Sequence, residues 1–421
     1  SGMNNLYFTI NMNIKRTTLL LVTLALAAGM HAQDNAIDAI LQQIEANNKQ
    51  LRANTSLVTA QKLENKAENN LPNPSLSYSH LWDSDDKNIT VGELVISQGF
   101  DFPTLYATRG KLNRVRSQAL DAQAASLRQD ILLQAKEICL DIILLHRQRL
   151  LLDQRLHNAE ELAKLYAERL RTGDANALET NKINLELLNV RTESRLNQTA
   201  LQSKLKELMV LNGNRPLTPG RPLPEPQTPG AEALGLTDYT PVALPADFAR
   251  QVDDLLAADP ALQALQGESD AAKVQLSASR QGWLPRLEVG YRRNTETRHP
   301  LNGVVVGFSF PLFENRHKVK AAKSQALSTE YTRENASLQA ASALWQLYEE
   351  ASLLSRSIEE YRETFARQRD LALLRKALDG GEISMIEYFV EVSVVYQSQD
   401  NLLQLENQYQ KAMARLYKSK L

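Results

Sequence analysis

Two rhythms of hydrophobic and polar positions run along this chain, and each occurs twice. From Leu105 to Arg171, apolar residues at Ile131, Ala135, Ile138, Ile142 and Leu145 step alternately by four and three. The series continues through Leu152, Leu156, Ala159, Ala163, Tyr166 and Leu170, interrupted only at Arg149. Between Glu314 and Leu378 the same spacing returns in Leu344, Leu347, Ala351, Leu354, Ile358, Tyr361 and Phe365. Sustained spacing of this kind predicts long helices with a coiled-coil seam. At ~1.5 Å per residue, a helix of roughly 67 residues reaches about 100 Å. Ahead of each long helix the period drops to two. Ser75–Trp82 alternates small polar with large apolar side chains, and after the polar turn Asp83–Asn88 a second strand follows. That strand puts Leu94, Ile96, Phe100 and Phe102 on one face and Glu93, Ser97, Gly99 and Asp101 on the other. In the second half Leu287, Val289 and Tyr291 alternate with Arg286, Glu288 and Arg292. After a turn at 295–302, Val304, Val306, Phe308 and Phe310 alternate with Val305, Gly307 and Ser309.

The two halves are copies. Gly99-Phe100-Asp101-Phe102-Pro103 returns as Gly307-Phe308-Ser309-Phe310-Pro311, and the same offset carries Gly173 onto Gly381, Asn176 onto Ser384 and Glu179 onto Glu387. Leu71-Pro72 and Leu284-Pro285 match at a slightly different offset, and their prolines stop the preceding helix. Each copy reads as helix, strand pair, long helix and return helix. Residues 33–212 form the first repeat with its hairpin at 75–102, and residues 247–421 the second with its hairpin at 286–312. Glycine at Arg171-Thr172-Gly173-Asp174 and Asp379-Gly380-Gly381-Glu382 marks where each long helix ends and the chain turns back. Residues 213–246, rich in proline from Pro216 to Pro229, read as a linker.

Composition narrows the class. A formal net charge of −1 over 421 residues lacks the basic balance of a nucleic-acid binder. Cys139 is the single cysteine, so no intrachain disulfide is available and packing alone must hold the fold. Residues 1–32 read as a targeting segment: Ser1-Gly2 lie ahead of a natural start at Met3 or Met12. Lys15-Arg16 then precedes the apolar run Thr17–Ala28, and Ala32 offers a cleavage point before Gln33. An uncleaved anchor is the alternative. The six histidines and six methionines are scattered, without metal-ligand spacing. The sequence has no nucleophile elbow, no phosphate loop and no acid/base pair, so the reading is of a non-enzyme without cofactor.

Strands of about 8 to 13 residues suit the ~9–11 that cross a bilayer at a tilt, and an exported protein can span a membrane as a β-barrel. Four strands cannot close a barrel, and open edges are not tolerated in lipid, so several chains would have to share one. Trp82 and Trp283 flank the strands as interfacial aromatics do, with Phe102 and Phe310 as further candidates. Pattern alone leaves a small sheet packed on helices as the alternative.

The order of elements, the doubled G-F-x-F-P, Leu-Pro before each first strand and glycine at each helical turn resemble the TolC-like outer-membrane efflux family, over nearly all of the chain after Asp34. The resemblance implies a mainly helical fold with a small β part. It also implies a homotrimer that shares a membrane β-barrel, four strands per chain, above a long coiled-coil α-barrel in the periplasm. Its expected surroundings are outer-membrane lipid, a periplasmic adaptor and an inner-membrane pump, and its expected role is the exit duct of an efflux or secretion system. A soluble periplasmic coiled-coil adaptor or scaffold is the alternative function.

Under that resemblance Glu179 and Glu387, each six residues after its turn glycine, are candidates for the periplasmic aperture. Asn176 to Glu179 and Ser384 to Glu387 equally match a helix capping box, and both readings stay open. Gly173, Asp174, Asn176, Gly380, Gly381 and Ser384 are the expected adaptor-docking tips. Glu93, Asp101, Arg286, Glu288 and Arg292 are barrel-lumen candidates, mixed in sign. The family's apertures often add a basic or tyrosine partner near the second turn, where this chain has Ile383 and, nearby, Tyr388.

Overall fold

The computed structural model describes residues 36–86, 88–218, 230–295, 299–367 and 370–421. The targeting segment 1–32 and the prolines from Pro219 to Pro229 lie outside the described residues.

The helices are α1 (36–47), α2 (Lys49–Ala67), α3 (Pro103–Thr172), α4 (Ala177–Leu211), α5 (Val252–Ala257), α6 (Pro260–Gln281), α7 (Lys318–Arg367), α8 (Asp370–Asp379) and α9 (Met385–Leu416). The strands are β1 (Ser75–Trp82), β2 (Thr90–Phe100), β3 (Arg286–Thr295) and β4 (Pro300–Ser309). The chain is mainly α with a small antiparallel sheet, as the two rhythms predict. Compactness cuts across the sequence repeat: one unit joins residues 36–52, Arg128–Val252 and Ala343–Leu421, and the other joins Ala53–Leu127 with Asp253–Ser342.

The first unit is a helical bundle. Ile131, Ala135, Ile138 and Ile142 of the expected seam are buried, as are Ala351, Leu354 and Ile358 in the second copy. Leu170, the last seam position, is 41% exposed because it sits in the final turn before Gly173. Cys139 is fully buried on α3, and burial pushes its thiol up to about 12, which makes it inert. The segment expected as a linker packs in its described parts: Leu217, Leu234 and Leu236 are buried. Side chains of α9 hold it down, with Tyr409 Oη donating to Val242 O (2.8 Å) and Gln410 Nε2 to Thr240 O (2.9 Å). Phe248 then stacks on Tyr348 of α7, ring centroids 4.5 Å apart.

The second unit holds the sheet. Asp259 caps α6, accepting from Ala261 N at 2.9 Å, and Pro260 supplies its first residue. Gly267 on α6 meets α3 so closely that a Cβ there would lie 2.8 Å from Ala119 Cβ. The second long helix differs from expectation. It begins at Lys318, not Glu314, because the chain turns through 312–317 and His317 adopts φ 69°, a left-handed value that no helix interior accommodates. Its remainder is α7 followed by α8. The strands end at Phe100 and Ser309, just ahead of Pro103 and Pro311, slightly short of the expected hairpin limits.

Candidate functional site

All four strands form one sheet in the order β1-β2-β3-β4, each neighbour antiparallel. The two hairpins are therefore joined through β2 and β3, with Ile96 opposite Tyr291 and Ser97 opposite Gly290. Opposed residues share a face, so the register assigns every paired residue to one of two faces, one mostly polar but including Val95 and Val305, the other mostly apolar but including Gln98, Arg293 and Asn302. One face carries Ser75, Ser77 and Ser79, then Glu93 and Ser97, then Glu288, Gly290 and Arg292, then Gly303, Gly307 and Ser309. The other carries Leu76, Tyr78, Leu94, Ile96, Val289, Tyr291, Val304, Val306 and Phe308. That apolar face is open in the chain: Leu76 is 70% exposed, Val304 77% and Phe308 62%. A sheet in water hides such a face against a core. Here the face that would meet water in an ordinary protein is the oily one.

The lumen candidates lie together on the polar side, and four of the five, all but Glu288, are paired in charge. Arg292 pairs with Glu93. Asp101 takes Arg109 Nη1 at 2.7 Å and Arg286 Nε at 3.3 Å, while Arg286 also reaches Glu314 at 3.3 Å. Glu288 lies against Gly307, whose missing side chain leaves it room. Trp82 ends β1 at the hairpin tip and is 68% exposed. Trp283 precedes β3 at the opposite end and is 47% exposed, Phe310 follows β4 at 62%, and Phe102 is half-buried.

The two helical turns, both in the helical unit, are built alike. Gly173 (φ 86°) and Gly381 (φ 71°) take the left-handed conformation that ends α3 and α8. Asp174 N donates to Arg169 O and Glu382 N to Ala377 O, both at 2.8 Å, while Gly173 N and Gly381 N reach Leu170 O and Leu378 O. This is the Schellman arrangement. Asp174 also accepts from Thr172 Oγ1 at 2.9 Å, and Gly380 N donates to Lys376 O at 2.8 Å. A capping box then starts each return helix. Glu179 N donates to Asn176 Oδ1 (2.9 Å) and Asn176 N to Glu179 Oε2 (3.2 Å); Ser384 N donates to Glu387 Oε2 (2.7 Å) and Glu387 N to Ser384 Oγ (3.2 Å). Asparagine thus serves the box as well as serine does. The backbone N–H of Ser384, helped by its side chain, holds the Glu387 carboxyl below its ordinary value.

Beneath the turns Leu162, Tyr166, Ile183, Met385, Tyr388 and Val392 form a buried cluster. Tyr388 is drawn into it, and burial pushes its phenol up against the pull of Arg375, which itself binds Asp379 through Nε at 3.2 Å. Sequence reasoning missed two charged assemblies in this unit. Arg155 binds Glu186 (2.7 Å) and Glu193 (2.8 Å) and lies over the Tyr396 ring, whose hydroxyl accepts from Asn158. Glu406, almost fully buried, joins Arg147 of α3 (2.5 Å) to Arg362 of α7 (2.7 Å). Nothing local in sequence marks either one, because the partners come from different helices.

Among the described residues no helix is long and apolar enough to cross a membrane. Residues 252–419 match the family model described as outer membrane efflux protein. The second half of the chain is thus similar to an outer membrane efflux protein domain. Solved structures extend the likeness of fold to both halves of the chain. It superposes on CusC with a TM-score of 0.73 at 18% identity, covering 91% of this chain and 92% of that one. VceC of Vibrio cholerae gives 0.72 at 12% identity, over 91% and 95% of the two chains. The open-state outer membrane channel MtrE of Neisseria gonorrhoeae gives 0.69 at 14%, over 92% and 88%. No protein of curated function matches the sequence.

Proposed function

We propose that three copies of this chain form an outer-membrane channel that serves as the exit duct of an efflux or secretion system. The observation that carries the reading is the sheet: one face exposed and apolar, the other polar and paired in charge. That distribution suits a strand wall with lipid outside and water inside. The likeness to an outer membrane efflux protein domain supports an efflux role and an outer-membrane location, with the helical part in the periplasm. A scaffold or adaptor in water has no use for Leu76, Val304 and Phe308 on one open face.

The rest of the proposal concerns the turns. Gly173, Asp174, Asn176, Gly380, Gly381 and Ser384 make rigid, polar helical tips on which a periplasmic adaptor docks, with an inner-membrane pump as the source of energy. Glu179 and Glu387 use only one carboxylate oxygen in the capping boxes. Capping and an aperture role are therefore compatible, and three chains would bring six carboxylates to the tip. Such a ring concentrates cations.

Planar-bilayer conductance of the purified protein tests this reading. We expect discrete channels that prefer cations and are blocked by divalent cations, with both properties weakened in the Glu179→Gln/Glu387→Gln double variant. Unchanged selectivity and block in that variant would reduce the two residues to helix caps. Absence of any conductance from membrane-inserted protein would remove the duct.

A further inference from the structure

We propose that β4 of one copy pairs antiparallel with β1 of the next in one particular register, with Val305 opposite the next copy's Ser79. The inference rests on the shared-barrel reading above and adds the joint that closes it. Among the described residues, β1 and β4 are the outer strands of the sheet and have no strand beyond them. In a meander they run in opposite directions, so the next copy continues the same antiparallel alternation.

The register follows from the pairing inside one chain. Ser75 lies opposite Ser97, Ser97 opposite Gly290, and Gly290 opposite Val305, which stands four residues before the end of β4 at Ser309. If the next β1 starts level with that end, Ser75 meets Ser309 and Ser79 meets Val305. The ring then gains four residues of stagger for every four strands. With a rise of ~3.4 Å per residue and strands ~4.8 Å apart, one residue per strand tilts the strands by about 35°, whatever the number of copies. Membrane barrels tilt by about 35–45°.

The neighbouring registers fit worse. A slip of one residue would turn the apolar face of the next copy towards the polar side, so only slips of two are allowed. With Ser77 opposite Val305 the stagger halves and the tilt falls to roughly 20°. That register also makes Pro300, which has no N–H, the terminal partner of Trp82, so the last pair of the ladder is weakened. With Leu81 opposite Val305 the tilt rises to roughly 47°, and the first two residues of β1 lose their partners. The chosen register pairs all eight residues of β1 with Asn302–Ser309 and leaves Pro300 outside. It also sets Leu76 against Phe308 and Tyr78 against Val306 on the apolar face, the kind of aromatic and β-branched contact that stabilises neighbouring strands.

Cysteine cross-linking of the full chain in isolated outer membranes tests the register. Directly opposed Cβ atoms lie about 4.5–5.5 Å apart, near disulfide reach, whereas diagonal neighbours are ~7–8 Å apart. The Ser79→Cys/Val305→Cys variant, treated with copper–phenanthroline, should give covalent species of two and three chains on a non-reducing gel. Each single variant should stay monomeric, since Cys139 is buried. Cross-linking of Ser77→Cys/Val305→Cys or Leu81→Cys/Val305→Cys in its place would overturn the register and leave the shared barrel standing. No covalent link between chains for any of the three pairs, in protein shown to be membrane-inserted, would overturn both.

Discussion

An arginine at Val304 and an arginine at Val305 put the same charge on opposite faces of the same strand, at the middle of β4. Val304 is 77% exposed in the single chain and lies opposite Tyr291, on the apolar face. Val305 lies opposite Gly290, which leaves space for a longer side chain on the polar face. In water, Val304→Arg would be nearly neutral, as exposed surface substitutions usually are, within about 0.5 kcal/mol. In lipid it places a guanidinium near the bilayer midplane, which costs about 2–4 kcal/mol per chain and about 6–12 kcal/mol for a barrel of three. Val305→Arg points into the lumen and should cost no more than about 1 kcal/mol, mostly from the lost β-branched side chain. The assay is the amount of heat-modifiable, folded protein in the outer-membrane fraction at matched expression. Val304→Arg should reduce it at least tenfold, the effect of about 1.4 kcal/mol, and Val305→Arg by less than twofold. Equal tolerance of the two, or greater damage from Val305→Arg, would refute the assignment of the faces.

Three further outcomes follow from the helical unit. Gly381→Ala meets no neighbour within 4 Å, so its cost is the left-handed backbone alone, about 1–2 kcal/mol, visible as a lower denaturant midpoint and largely absent in Gly381→Asn. Glu387 has a folded value below its ordinary 4.5, so its stabilisation is complete above that value and is lost as pH falls through the lower folded one. The melting-temperature gap between the native chain and Glu387→Gln should therefore hold steady at neutral pH and close in acid. Glu406→Gln leaves Arg147, whose side chain is 25% exposed, with only the longer contact to the exposed Asp238 at 3.5 Å, while Arg362 at 63% can turn to water. The loss should be about 3 kcal/mol by denaturant unfolding, and adding Arg147→Met should recover part of it.

Local periodicity made the elements legible. The alternation of Ser75–Trp82 fixed β1 to the residue, and the 3–4 spacing found α3 to within two residues at its start and one at its end. Turn chemistry was equally readable: glycine for a left-handed residue, then Asn or Ser three before Glu, and both turns adopt the geometry those residues favour. What escaped was non-local. The β2–β3 joint depends on segments nearly two hundred residues apart and leaves no mark in either. Glu406 looks like any charged residue on an amphipathic helix until Arg147 and Arg362 close around it. Proline content made residues 213–246 read as a linker, yet Leu217, Leu234 and Leu236 were signals for packing that composition masked. The late start of α7 was hidden too, since a positive φ is uncommon at any single non-glycine residue and the periodicity around His317 does not signal it.

The lumen candidates illustrate the same division. Alternation put Glu288 and Arg292 on one face of β3 and Glu93 with Ser97 on one face of β2, because a period of two is local. That the two faces coincide, and that Glu93 pairs with Arg292, required the register, which only the assembled sheet supplies.

The most direct test of the account is the detergent-corrected mass of the protein extracted from isolated outer membranes. The account predicts a single species of three chains. A monomer recovered from the periplasmic fraction would contradict it, because one chain alone cannot close a barrel around this sheet.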